Sequence, residues 1–248
     1  MKGVFAFMKK LFYTLAIALI ILISITLYLN SQAAKKTSSQ SNKPGIGNNS
    51  TGGPNSSETS LGNKKKIIVI DPGHGGPDDG SSSKSGTLEK TITLKVALKL
   101  GPMLEAKGYK VIYTRKDDNI QWISEKEDLL RRAKIANDAN ADLFISIHTN
   151  STDLKNITGT ETYYHQGSSE GKKFAQLVQN EVIEQVNTKD RGIKTEDFSV
   201  LRNVTAPSIL LELGYISTPS EEAILKDSQY QSKFAEGITN GIVKYLED

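Results

Sequence analysis

From Lys66 onward the chain alternates two hydrophobic periods, and this alternation restricts the possible folds more than any other feature. IIVI at 67–70, YKVIYT at 109–114, DLFISI at 142–147, GTETYY at 159–164 and SILLEL at 208–213 are short runs rich in β-branched and aromatic residues, the pattern of strands. Between them apolar residues recur every three or four positions: Ile92, Val96, Leu100 and Leu104; Leu129, Ala133 and Ala136; Phe174, Leu177, Val178 and Val182; Phe234, Ile238, Ile242 and Leu246. Each set makes one apolar stripe along a helix. Strand–helix–strand units close by right-handed crossovers, so the expected fold is α/β, a mainly parallel twisted sheet with helices on both faces. Ligands of such sheets gather beyond the carboxyl ends of the strands. No internal repeat is visible.

The first 63 residues have a different character. Leu11 to Leu29 is uncharged, follows Lys2, Lys9 and Lys10, and has about the length a helix needs to cross a bilayer. Residues 1–34 are therefore expected to form a membrane anchor or signal peptide. An uncleaved transmembrane helix is favoured over cleavage after Ser31-Gln32-Ala33, because a cleavable signal has a shorter apolar core, roughly 7–15 residues. The lysines before the span favour a cytoplasmic N-terminus and place the remainder outside the cell, anchored in the cytoplasmic membrane or secreted if the helix is cleaved. Residues 35–63, dominated by Ser, Asn, Gly and Lys, bury too little surface to offset their ordering entropy and are expected to be a flexible linker. Residues 64–248 are the expected catalytic domain, soluble and monomeric without the tether because the helical apolar stripes all lie within it.

Charge and cysteine usage exclude several classes. Residues 1–63 carry six lysines and one acid, whereas residues 64–248 carry 25 basic and 27 acidic side chains. The basic excess belongs to the tail, and a nucleic-acid-binding domain would show its own. Cysteine is absent, so a metal in this chain must be held by His, Asp or Glu.

The strand IIVI runs directly into DPGHGG at 71–76. Glycines at 73, 75 and 76 let the backbone turn sharply and approach something closely, which suits either a bound phosphate or a metal on His74. A dinucleotide-binding G-x-G-x-x-G would need glycine at position 78, which is Asp78; no Gly-Lys-Ser/Thr follows, and Asp78 and Asp79 would repel phosphate. The glycines are thus expected to give packing room around a metal and a bulky polymer. Two of the three histidines, His74 and His148 in SIHTN, close apolar strands whose ends should meet on one edge of the sheet. Zinc takes neutral imidazoles and carboxylates, and a catalytic site leaves its fourth position to water. Glu89, where a loop gives way to a helix, and Glu212, inside the apolar run LLELGYIS, are the acidic candidates. Asp71 can support His74 or serve the turn before Pro72. Asn150 can orient His148 or substrate, or cap a loop; His165 is read as a surface or groove residue, and Arg115 and Arg132 as structural ion pairs.

DPGHGG, Leu88-Glu89-Lys90, SIHTN and LELGYIS, in this order and at these spacings, resemble the zinc-dependent N-acetylmuramoyl-L-alanine amidases of the type-3 family over about residues 64–247. The resemblance implies that His74, Glu89 and His148 ligate Zn2+ and that Glu212 is the catalytic acid-base. It implies cleavage of the amide between the lactyl group of N-acetylmuramic acid and the L-alanine of the peptidoglycan stem peptide. Two departures, Thr218 where Asn is usual and Ser151 where Ala often follows the His-x-Asn, concern substrate fit. Related amidases can carry a helix after that strand which plugs the zinc site, but Ser151 to Thr158 is too short for one. The rival readings are a zinc exopeptidase and a wall-binding module without turnover.

Overall fold

The computed structural model describes residues 64–248; the apolar segment at 11–29 and the linker at 35–63 lie outside them. Among the described residues no helix is long and apolar enough to cross a membrane. In chain order the elements are β1 (Ile67–Pro72), α1 (Glu89–Ala106), β2 (Lys110–Tyr113), α2 (Glu125–Asp138), β3 (Leu143–Asn150), β4 (Thr160–Tyr164), α3 (Ser169–Val186), β5 (Asp190–Thr195), a single turn α4 (Ser199–Arg202), β6 (Ser208–Tyr215), α5 (Pro219–Lys226) and α6 (Ser228–Glu247). All five expected strands and all four expected helices are present. The edge strand β5, α4 and α5 are additional.

The six strands form one sheet in the order β2-β1-β3-β6-β4-β5. Every pairing is parallel except that of β4 with β6. The reversal has a simple cause. A parallel return needs a crossover of about a dozen residues or more, and the connection from β3 to β4 is too short. The chain therefore comes back antiparallel, leaving a gap that β6 later fills. α3 then carries β4 into a parallel partner, β5.

Strand residues alternate between two cores, which is why the central strands are buried end to end. Ile68, Ile70, Ile145, Ile147, Ile209 and Leu211 face α1, α3 and α6, against Leu100, Phe174 and Phe234. Val69, Phe144 and Leu210 face the other way, onto Ala133 and Ala136 of α2 and Val200 and Leu201 of α4. Side chains such as Leu100 and Phe174 are completely buried, and truncating one to Ala typically costs about 2–5 kcal/mol. By the same alternation Asp71, Ser146, His148 and Glu212 belong to the α2 face. The sheet thereby brings four polar side chains to one end of one face.

Candidate metal centre

β1 and β3 are neighbours, so the loop leaving β1 and the last residues of β3 meet. The His74 and His148 rings pack edge to face with centroids 4.9 Å apart. Glu89, the first residue of α1, lies between them, its Oε1 3.3 Å from His74 Nε2 and 3.0 Å from His148 Nδ1. One ligand atom from each of the three falls within 4.8 Å of the others. Backbone groups fix the carboxylate: the Thr149 N–H donates to Oε1 and the Ser81 N–H to Oε2, both at 2.9 Å. Two imidazoles and a carboxylate are a donor set suited to a catalytic zinc with one position left open. The side chains present therefore fit the metal that the sequence implies. His148 and Glu212 are placed within β3 and β6, slightly earlier than the strand ends expected from sequence.

The loop around His74 is held by specific partners. His74 itself adopts φ 61°, a left-handed conformation that costs a non-glycine residue of order 1–3 kcal/mol and persists only where its surroundings enforce it. Its Nδ1 lies 2.8 Å from Asp78 Oδ2. An imidazole that donates Nδ1–H to a carboxylate keeps Nε2 free for a metal. Arg132 donates to the carbonyls of Pro72 and His74 at 2.8 and 2.7 Å, and Arg115 to those of Pro72 and Gly73 at 3.1 and 2.9 Å. Arg132 is more than an ion-pair partner and Arg115, contrary to the sequence expectation, makes no ion pair among the described residues; both pin the glycine loop. Asp71 does not reach His74, since its carboxylate accepts from Arg132, Thr114 and Ser146 at 2.8, 2.5 and 2.7 Å.

The glycines also differ from expectation. A Cβ on Gly73 would overlap the His148 ring, and one on Gly75 would meet the Arg115 side chain at 2.8 Å. They make room for the protein's own side chains, and the positions of the ring and the guanidinium depend on them.

A second carboxylate pair adjoins the first. Glu212 is the strand partner of His148 on one side and of Glu161 on the other. Glu161, on β4, is 1% exposed and fully engaged. It accepts from Asn150 Nδ2 at 2.6 Å, Tyr163 Oη at 2.9 Å and Arg191 Nε at 3.0 Å, and also from Lys194. Asn150 therefore serves Glu161, and through its Oδ1 the Ser151 N–H, rather than His148. Glu212 Oε2, by contrast, is shielded from solvent and has no hydrogen-bond partner among the described residues.

The electrostatics separate these carboxylates. Burial pushes the Glu89 carboxyl upward, but hydrogen bonds from His148 and then His74 outweigh it and hold the group well below the usual range. His74 is raised: burial opposes its charge, and the hydrogen bond and charge of Glu89, then of Asp78, overcome that. Glu212 is raised well above the usual carboxylate range, first by burial and then by the negative charges of Glu89 and Glu161.

Asp78 and Glu161 were not singled out in the sequence. Asp78 stands four residues after His74, which was a usable signal. Glu161 had none, because its position depends on the reversed direction of β4. The same reversal carries His165, which follows β4, to the opposite end of the sheet, where its nearest acidic group is Asp197 at 3.9 Å. Ser151 and Thr218 both line one groove beside the centre.

A sequence model of N-acetylmuramoyl-L-alanine amidases, Amidase_3, matches residues 68–244. A germination-specific N-acetylmuramoyl-L-alanine amidase of Bacillus subtilis is 36% identical over 192 residues, covering 74% of this chain and 81% of the relative. The crystal structure of an N-acetylmuramoyl-L-alanine amidase from Clostridium difficile 630 is 40% identical, with TM-score 0.70 over 74% of this chain and 98% of that one. The CwlD amidase of Clostridioides difficile, solved in complex with the GerS lipoprotein, is 35% identical, with TM-score 0.71 over 74% and 99%.

Proposed function

The chain belongs to the N-acetylmuramoyl-L-alanine amidase family of cell-wall hydrolases, and from that premise we propose that it cleaves the lactyl–L-alanine amide of peptidoglycan with a zinc ion held by His74, Glu89 and His148. The observation that carries this reading is the arrangement of Glu89 between two imidazoles with Glu212, whose buried Oε2 has no partner among the described residues, in the adjoining strand register. When bound, the metal supplies Lewis acidity toward the scissile carbonyl and lowers the pKa of a bound water toward about 7.

The protein's own groups account for the rest. Glu89 is kept ionised by the two histidines and two backbone amides, so it offers a lone pair rather than a proton. Asp78 fixes the tautomer and orientation of His74. Glu212, raised by burial and by its acidic neighbours, can take the proton of the attacking water and return it to the departing L-alanine amine. An amide nitrogen leaves poorly unless protonated, so a group that both accepts and donates is required. Glu161 is held anionic by Lys194 and Arg191 and keeps a negative charge beside Glu212.

Membership of a cell-wall hydrolase family supports action on the wall, outside the cytoplasm. Anchorage by the apolar segment 11–29 is the part of this proposal that rests on sequence alone. Residues 151–159 form turns and no helix, and we take the centre to be active without removal of a plug from that connection.

The test is mass spectrometry of purified cell wall digested by the protein, with zinc and after chelation. The reading predicts intact stem peptides with a free L-alanine amine and an unbroken glycan, produced only with metal. Release of single amino acids would favour an exopeptidase instead, and no release with zinc bound would favour a wall-binding module.

A further inference from the structure

Two openings of unlike chemistry lie near the candidate metal centre, one lined by its histidines and one by residues next in the chain to Ser81 and Asn150. On the α2 side, a cleft of about 360 Å3 runs from His74 and His148 to Trp122, Leu129, Val200 and Glu125. Three of its four carboxylates are engaged, Asp71 by Arg132, Asp128 by Arg131 and Arg132, and Asp78 by His74. Glu125, in the first turn of α2, makes no ion pair or side-chain hydrogen bond among the described residues. The cleft thus joins a half-buried indole, an apolar wall and one uncommitted negative charge. On the other side, a groove of about 1010 Å3 is lined by Ser82, Lys84, Ser151, Asn156, Thr218 and Leu154, with Leu154 68% exposed. It is rich in hydroxyls, with one amide at Asn156, and Lys84 and Lys155 against the single acid Asp153 leave it an excess of positive charge.

The substrate of an N-acetylmuramoyl-L-alanine amidase also has two limbs, which meet at the scissile amide. The glycan is neutral, broad and covered with hydroxyl and N-acetyl groups. The stem peptide carries a diamino residue whose side chain ends in an ammonium. A flexible methylene chain tipped with a cation suits a narrow cleft where an aromatic face and a carboxylate converge, because the chain packs on the apolar wall while the charge meets ring and anion. The wide groove suits sugars, which need many donors and acceptors together with an apolar surface such as Leu154. The reverse assignment would set the ammonium against Lys84 and Lys155 and leave Glu125 without a charged partner.

Resting on the amidase reading above, we propose that Trp122 and Glu125 form the subsite for the ammonium-bearing side chain of the stem peptide, while the glycan lies along the groove of Lys84, Ser151 and Thr218. These residues set which peptide is cleaved and do no chemistry.

The experiment compares two muropeptides, a disaccharide stem peptide with its side-chain amine free and the same molecule with that amine acetylated. In the unaltered protein acetylation should raise KM by about tenfold with kcat nearly unchanged, the signature of lost binding that ground and transition states share. Glu125→Gln should raise KM for the free amine by about the same factor and leave the acetylated substrate as it was, with bound zinc unchanged. Trp122→Ala should weaken both substrates, the free amine more. Equal KM for the two muropeptides in the unaltered protein, or a Glu125→Gln effect indifferent to acetylation, would overturn the subsite and leave the amidase reading standing. A Trp122→Ala effect that grows with glycan length and ignores the amine would assign the cleft to the sugar instead. Failure of the unaltered, zinc-loaded protein to cleave either muropeptide would sink the amidase reading itself.

Discussion

Glu89 and Glu212 both adjoin His148, one from the first turn of α1 and the other from β6, and their surroundings differ in one decisive respect. On the β1–α1 side, Glu89 receives two backbone N–H groups and faces two imidazoles, so every interaction it makes favours its charged form. On the β6–β4 side, Glu212 has an oxygen with no partner and two carboxylates for company, so its surroundings favour the protonated form. The residue type is identical, and in the function proposed above its environment would suit one glutamate to hold a metal and the other to carry a proton. The comparison can be attacked from either side, and the expected effects on the metal centre grade downward.

The largest effect belongs to His74→Ala. It removes one of the three proposed protein ligands, so bound metal measured by atomic absorption should fall to near background and hydrolysis should drop by roughly 10³-fold or more. Full retention of metal would show that the centre is not built on the β1 loop.

A smaller effect, on stability, is expected beneath the loop. Asp71 and Arg132 are 1% and 2% exposed and pair at 2.8 Å, so Asp71→Asn should destabilise the fold by about 3–5 kcal/mol at neutral pH, the usual result of leaving a buried charge without its partner. Burial acts to raise the Asp71 carboxyl, but Arg132 and the hydroxyls of Thr114 and Ser146 hold it below its ordinary value. A depressed carboxyl contributes stability that is fully present above the unfolded-state pKa and lost as pH falls through the lower folded value. Urea unfolding should therefore show the gap between the unaltered protein and Asp71→Asn narrowing as the pH drops below about 4. A gap constant across that range would contradict the ion pair.

Asp78→Asn should act more gently still. It weakens the acceptor of His74 Nδ1 and keeps all three ligands, so metal affinity should fall by about 10–100-fold and activity should return on adding zinc. No change in affinity would mean that the loop, with its left-handed His74 and its two arginines, orients the ring unaided.

The sequence disclosed these features unevenly, for physical reasons. Strand–helix alternation and the four apolar stripes were legible because each is a local periodicity repeated over many residues. Strand β5 was missed because Asp190–Thr195 is an edge strand with one apolar residue, Ile193, and α5 because its eight residues show no repeated stripe. In the centre, His74 and His148 stood out because each follows an apolar strand run and Glu212 because it interrupts one, whereas Glu89 as a ligand and Glu212 as the acid-base came from the resemblance to the amidase family. Glu161, Arg115 and Arg132 act through contacts 30 or more residues away, as in Arg191–Glu161, Arg115–Gly73 and Arg132–His74, and no local pattern encodes those. For Asp71 the sequence left two roles open, support of His74 or the turn before Pro72, and its bond to Arg132 was not among them for the same reason, since it spans 61 positions.

The most direct test of the division between the two glutamates is Glu212→Gln, assayed for metal and turnover on the same preparation. The amide keeps the shape of the side chain but can no longer carry a proton between water and amine. The account predicts zinc content and folding unchanged, with hydrolysis reduced by roughly 10²–10⁴-fold. Loss of zinc together with activity would make Glu212 a ligand, and unchanged turnover would move the proton transfer to another residue; either result would contradict the account.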